Sequence, residues 1–487
     1  MPMKTLIQAL IVSILSLTVM PSEAQERFQP TWESLKHYQT PDWFRDAKFG
    51  IFIHWGVYSV PAFGSEWYPR EMYQKGSKEY QHHAETYGDV AKFGYKDFIP
   101  LFKAEKFNAD QWVDVFKRSG AKYIVPVAEH HDGFAMYKTA LSKWNAVEMG
   151  PKRDIIGELS EACRKYELVF GLSSHRIEHW WFMNGGRHLA SDVLTGEYND
   201  FYGPARENDE TPSAEYMNDW LLRCTELVDT YHPQLIWFDW WIEQPAMDPY
   251  RKSFASYYYN KGAEWKKGVV INYKNESYPK EAAVYDIERG SSKATKKQPW
   301  QTDTSIGKKS WGYIEGEENK TPNELVDALI DIVSKNGNLL LNIGPKGDGT
   351  ITQEQQDVLL AIGSWLDIHG EGIYGTRPWK VDGEGPTENP SEEASFNEYK
   401  SKGYTSKDIR FTSKGDVVYA FVLDVPKEKL HITSLSGKSG NGTIAGITLL
   451  GSDEKVTWSQ ASDGLSISPA KSYSSQSAVG YKIMFKK

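Results

Sequence analysis

At 487 residues and a formal net charge of -9, the chain is too long for one ordinary core and too acidic for a generic nucleic-acid or anionic-membrane surface. Eighteen Trp and 28 Tyr are more aromatic rings than packing requires, and flat rings with a polar edge suit ligands such as sugars, whose C–H faces stack on them. The two cysteines, Cys163 and Cys224, sit in amphipathic stretches, so buried free thiols are expected, with one disulfide as the alternative.

Residues 1–24 read as a secretory signal peptide. Lys4 supplies the positive start, the run from Leu6 to Met20 the apolar middle, and the small residues before Gln25 a cleavage site. This implies a secreted or periplasmic protein. The run is too short to span a membrane, and none comparable follows.

Short apolar runs that end on polar residues then recur along the chain. Residues 48–55 end on His54, and a loop rich in Gly, Pro and aromatics follows, containing Glu66 and Trp67. Residues 108–119 have helical spacing behind Asn108 as cap. The run 122–128 leads into Glu129, His130 and His131, and after a helix over 154–166 the run 168–172 leads into His175. An insertion at 177–212 carries Trp180, Trp181 and Phe182, which form either its own core or the walls of a leaving-group site. A helix over 214–231 precedes residues 234–239, where an apolar run stops on Asp239. Further runs are 267–271 before Lys274, 282–285 before Asp286 and Glu288, a weaker one at 299–304, and 338–343 after a helix over 322–334.

Eight such strands alternating with helices predict a distorted (β/α)8 TIM-like barrel over residues 25–375, with its active site at the carboxyl ends of the strands. That topology gathers His54, the Glu129 to His131 cluster, His175, Asp239, Lys274 and Glu288 around one pocket. After a last helix over 353–369 the chain turns rich in Gly, Ser, Thr and Lys. Alternating runs such as 416–422 and 480–485 predict a C-terminal all-β sandwich over 376–487.

A buried carboxylate is costly unless it is paired, so Asp239 at the tip of an apolar strand invites a functional reading. Asp239 and Glu288 facing one pocket are the minimum equipment for glycosidic bond cleavage, one ionised to attack and one protonated for the leaving oxygen. Asp286, Glu276 and Glu281 are rivals for the second role. His130 and His131 are adjacent and have no third ligand at metal-site spacing, so no metal is expected. Arg289 is readable as a salt-bridge partner alone.

The segment 48–61, with Ser65 to Tyr68, Glu129 to Phe134, Trp237-Phe-Asp239, Ser310 to Tyr313, 336–345 and 370–379, resembles the retaining α-L-fucosidases of glycoside hydrolase family 29. The resemblance covers roughly residues 42–379. It implies that Asp239 is the nucleophile of a double displacement, and that His54, Glu66, Trp67, His130 and His131 hold the sugar. Trp237 belongs to the same motif as the nucleophile and is placed with the sugar contacts. Ser173-Ser-His175 replaces a common Tyr-Tyr-Ser stretch, so His175 becomes a substitute sugar contact. Lys274 stands where the family often has Arg, keeping the charge without the planar fork. Glu288 is the acid/base that best fits the offset from Lys274.

The expected partners are fucosylated oligosaccharides or glycoconjugates, and no cofactor is called for. Two rivals remain, a catalytically silent fucose-binding lectin and a retaining glycosidase for a related sugar such as α-L-galactose. Asn275, Asn319 and Asn441 are N-glycosylation sequons. Nothing in the sequence specifies an oligomeric state.

Overall fold

In the computed structural model, which describes residues 27–387, 395–398, 403–440 and 442–486, eight parallel strands close into a barrel. They are β1 Phe49–Ile53, β2 Tyr123–Glu129, β3 Val169–Ser174, β4 Leu235–Phe238, β5 Val270–Tyr273, β6 Val284–Glu288, β7 Trp300–Ser305 and β8 Gly337–Ile343. The order is sequential, and β8 pairs with β1 to close the ring. The proposed signal peptide and Asn441 lie outside the described residues.

Crossover helices flank the ring: α1 Ala109–Arg118, α2 Ile155–Tyr166, α3 Ala214–Tyr231, α4 Asp248–Glu264, α5 Pro322–Ser334 and, after β8, α6 Gln353–His369. Asn108 caps α1 through its side chain and Asp154 caps α2. Thr321 and Glu324 form a reciprocal capping box at the start of α5. The β5–β6 and β6–β7 connections contain no helix among the described residues, which accounts for the irregularity expected of this barrel.

Two features differ from the sequence reading. Helix α4 has no obvious apolar stripe, because Arg251, Ser256, Tyr258, Tyr259 and Gly262 share its buried positions with Phe254 and Ala255. Strand β6 also runs further than 282–285 and takes in Asp286 and Glu288 themselves. Cys163 and Cys224 are buried free thiols on α2 and α3.

Inside the barrel, Phe52, Tyr123, Val125, Leu235, Trp237, Val270 and Leu340 form one apolar cluster that includes Phe44. A Cβ at Gly50 would collide with the Tyr123 ring, so glycine is required there. Period-two alternation sets the site above this plug. Leu235 and Trp237 point inward and Phe238 outward against Trp220 and Phe254, so Asp239 emerges inward directly over Trp237.

Beyond β8 the chain builds a five-stranded antiparallel sheet from β9 Arg377–Glu384, β10 Ile409–Lys414, β11 Val417–Val422, β13 Ile444–Leu449 and β16 Val479–Phe485. A three-stranded sheet of β12 Leu430–Ile432, β14 Trp458–Gln460 and β15 Leu465–Ile467 faces it. Phe411, Val418, Leu430, Leu465 and Ile483 share one core between the two layers, as a sandwich requires.

Candidate active site

The carboxyl ends of the barrel strands surround a cavity of about 610 Å³. Its buried floor contains His54, Glu66, His130, His131, His175, Trp237, Asp239, Lys274 and Asp303, and its rim includes Trp67, Trp240, Trp311 and Phe396. Asp239, Glu288, His54, Glu66, Trp67, His130, His131, His175, Trp237 and Lys274 therefore line one space, whereas Glu129 and the rival carboxylates do not.

Asp239 is held from several directions. Its Oδ1 accepts from Lys274 Nζ at 3.0 Å and from the Trp240 amide at 2.8 Å. Its Oδ2 accepts from His175 Nδ1 at 2.8 Å, with His131 Nε2 at 3.5 Å. Burial alone would raise the carboxyl, but the Lys274 ammonium, the His175 hydrogen bond and His131 together hold it well below the usual carboxylate range. It is ionised at any working pH.

Lys274 Nζ also donates to Glu288 Oε2 at 2.7 Å. Burial and the negative charge of Asp239 raise the Glu288 carboxyl against the opposing pull of Lys274. The lysine loses charge preference through burial, yet Asp239, Glu288 and Asp303 more than restore it and keep it protonated. Two carboxyl groups with opposite tendencies thus share one ammonium.

The four imidazoles at the floor are all buried, and burial lowers each of them, His175 to about 4. They are neutral. Since a carboxylate only accepts, His175 carries its proton on Nδ1, and its Nε2 accepts from the Ser173 hydroxyl at 3.0 Å. Both of its nitrogens are occupied, so His175 orients Asp239 more than it offers a free group to a sugar. His54 donates from Nδ1 to Asn342 Oδ1 at 2.8 Å, which leaves Nε2 as an open acceptor. Asn342 is fixed in turn by Ser305 Oγ at 3.0 Å and the Trp311 carbonyl at 2.7 Å. Glu66 accepts from Ser310 Oγ and the Trp311 amide, tying the loop after β1 to the loop after β7.

Several sequence expectations change here. Glu129 leaves the cluster: a register shift between Val127 and Glu129 turns it outward, where it pairs with Arg176 at 3.0 Å and Arg223 at 3.2 Å. The adjacent His130 and His131 keep their rings together, with centroids 4.2 Å apart. The fold also supplies the third ligand that spacing did not suggest: His54, His130 and His175, and likewise His131, His175 and Asp239, place ligand-capable atoms within 4.8 Å of one another. Prior commitment of His175 to Asp239 and Ser173 makes both trios hydrogen-bonding linings first. Trp180, Trp181 and Phe182 are buried and do not line the cavity, which removes the leaving-group walls; nor are they the insertion's own core, since Trp181 and Phe182 pack against Trp67, His131 and Trp240 and Trp180 against Tyr216.

Of the rival carboxylates, Asp286 lies one layer down, accepting from Trp237 Nε1 at 3.2 Å and from Gln301. Glu276 and Glu281 are exposed and outside the cavity lining. Arg289 pairs with Glu398 at 3.1 Å and stacks over Trp311 at 4.4 Å. Sequence reasoning missed Asn342, Asp303, Trp311, Trp240 and Phe396. Asn342 does carry the signal used for Asp239, a polar residue closing an apolar run, whereas Asp303 lies in a strand that reads as polar throughout.

The family model described as alpha-L-fucosidase matches residues 15–371, and the model of the alpha-L-fucosidase C-terminal domain matches residues 402–486. The chain belongs to the alpha-L-fucosidase family. Within this family of glycoside hydrolases it is 35% identical over 459 residues to tissue alpha-L-fucosidase of Homo sapiens, covering 93% of this chain and 90% of that protein. Plasma alpha-L-fucosidase of Homo sapiens is 39% identical over 372 residues, covering 74% of each chain. Among solved structures, the alpha-fucosidase of Thermotoga maritima in complex with a mechanism-based inhibitor aligns with a TM-score of 0.76 at 31% identity. That alignment covers 94% of this chain and all of that one. The barrel and the β-sandwich beyond it are the fold of that structure.

Proposed function

We propose that the protein is a secreted or periplasmic exo-acting α-L-fucosidase of glycoside hydrolase family 29, cleaving terminal α-L-fucosyl linkages with net retention. In this reading Asp239 attacks the anomeric carbon while Glu288 gives its proton to the glycosidic oxygen, and the bond to the aglycone breaks. A covalent fucosyl ester on Asp239 results. Glu288, now a carboxylate, takes a proton from water, and the resulting nucleophile displaces Asp239 to release fucose. His54, Glu66, Trp67, His130, His131 and Trp237 make the sugar contacts, while His175 and Lys274 hold the carboxylates in position.

One observation carries the retaining assignment. Asp239 Oδ1 and Glu288 Oε2 stand 3.0 and 2.7 Å from a single nitrogen, so even with those arms laid end to end they are no more than 5.7 Å apart. Retaining pairs are separated by about 5–5.5 Å, whereas inverting pairs need about 6.5–9.5 Å to admit a water. The opposite displacement of the two carboxyl groups supports the division of roles, and the neutral imidazoles suit the hydroxyls of fucose.

A panel of aryl glycosides tests the activity, with α-L-fucoside and α-L-galactoside as the deciding pair. Release of phenol from the α-L-fucoside, with the α-anomer of fucose formed first by NMR, is the expected outcome. Saturable binding without release would indicate a lectin, preference for the α-L-galactoside another glycosidase, and β-fucose first an inverting enzyme. A folded Asp239→Asn variant that kept near-normal turnover would remove the nucleophile assignment.

A further inference from the structure

The rim of the cavity contains a residue that does not come from the barrel. Phe396 lies on a stretch of chain beyond β9, yet it lines the same space as Asp239 and Glu288. Its position is fixed by the backbone. The Phe396 amide donates to the Glu288 carbonyl at 2.8 Å, and the Glu398 amide to the Arg289 carbonyl at 3.1 Å. Asn397 Oδ1 accepts from the Ser291 amide at 3.2 Å. The Glu398 carboxylate takes hydrogen bonds from Thr304 at 2.6 Å, Lys320 at 3.0 Å and Arg289 at 3.1 Å. Burial would raise this carboxyl, but Lys320, Thr304 and Arg289 outweigh it and keep it ionised.

So tightly anchored a stretch would be expected to bury its apolar side chain. Phe396 instead remains 51% exposed and has φ +57°, a conformation that L-residues with large side chains adopt only where the surroundings impose it. The Phe396 amide is hydrogen-bonded to the backbone of Glu288, the proposed acid/base, and both residues line the same cavity, which puts Phe396 next in line to the residue that would protonate the leaving group. Farther round the mouth, Arg289 stacks on Trp311 and pairs with Glu398, joining this wall to the rim.

Building on the proposed fucosidase activity, we infer that Phe396 is the platform for the sugar to which the fucose is attached. The ligand class is a hexopyranose or N-acetylhexosamine whose C–H face stacks on the ring. The C-terminal part of the chain thereby selects among fucosylated glycans, while the barrel alone recognises fucose.

The test uses the full chain, with Phe396→Ala and Phe396→Trp, and two substrates. α-L-Fucosyl fluoride has a one-atom leaving group that cannot touch Phe396, whereas an α-L-fucosyl disaccharide can. Phe396→Ala is expected to leave kcat/KM on the fluoride within about twofold and to lower it about tenfold on the disaccharide, chiefly through KM, with Phe396→Trp retaining most of the value. Parallel loss on both substrates, or none on the disaccharide, overturns the inference. A fall in kcat with a displaced basic limb of the pH profile also overturns it, since the ring would then act through Glu288. Failure of the unmodified enzyme to release fluoride would sink the fucosidase reading itself, and this subsite with it.

Discussion

Lys274→Met is the most informative single change, because it removes the ammonium shared by two carboxyl groups while keeping most of the side-chain volume. At 3.0 and 2.7 Å, Coulomb attraction at an effective dielectric of about 20 is about 5–6 kcal/mol per contact before desolvation is counted. Returning the buried cation to water offsets much of this, and deleting one member of a buried pair costs about 3–5 kcal/mol net. That is the expected loss of unfolding free energy at neutral pH, read by urea titration. Asp239 is held below its ordinary range in the folded protein, so its contribution is present above that range and lost as pH falls through the folded value. The variant lacks that contribution throughout, so its stability should converge on that of the parent in acid. Both carboxyl groups rise without the cation, hence both limbs of the kcat/KM profile on an aryl α-L-fucoside should move to higher pH. A variant as stable as the parent at neutral pH, a stability gap that widens in acid, or a profile moving to lower pH would refute the reasoning.

Glu288→Ala should lose about 10²–10⁴-fold in kcat/KM on a natural linkage and far less on an aryl fucoside, whose leaving group hardly needs a proton. Azide should restore turnover of the aryl substrate, and equal loss on both substrates without rescue would place the acid elsewhere. Asn342→Leu should leave the His54 Nδ1–H and the Trp311 carbonyl without their partners, at about 1–3 kcal/mol each. Urea unfolding reads the cost, and the inhibition constant for free L-fucose should rise as His54 loses its fixed tautomer; an unchanged constant would separate Asn342 from sugar binding.

Asp239 was legible because a carboxylate closing an apolar strand has few packing explanations, and β4 does deliver it to the pocket. The same rule misplaced Glu129, since one irregularity in the β2–β3 register reverses the face on which a residue emerges. Helix α4 escaped notice because its buried side carries Tyr and Arg, whose apolar bodies pack while their polar ends reach partners such as the Pro233, Ala282 and Ser277 carbonyls. Asp303 sits in a strand that reads as polar, yet burial and the neighbouring Asp286 carboxyl raise it far above its ordinary range. Glu398 meets Arg289 across 109 residues of chain, a contact that no local pattern encodes. His175 could be placed in the pocket from sequence, but its commitment to Asp239 required coordinates.

Closure of the ring between β1 and β8 bears on how the enzyme comes into being. His54 receives both its backbone and its side-chain partner from Asn342, 288 positions later in the chain. On a ribosome, the first strand therefore waits for nearly the whole barrel to be made before its imidazole is set. No shorter nascent piece presents a complete sugar pocket, so a fucose-like ligand has nothing to hold until the last strand docks. Once it docks, His54 is set at the cavity floor, and any ligand that binds only the completed pocket should stabilise the closed ring by an amount that grows with the logarithm of its concentration above the dissociation constant.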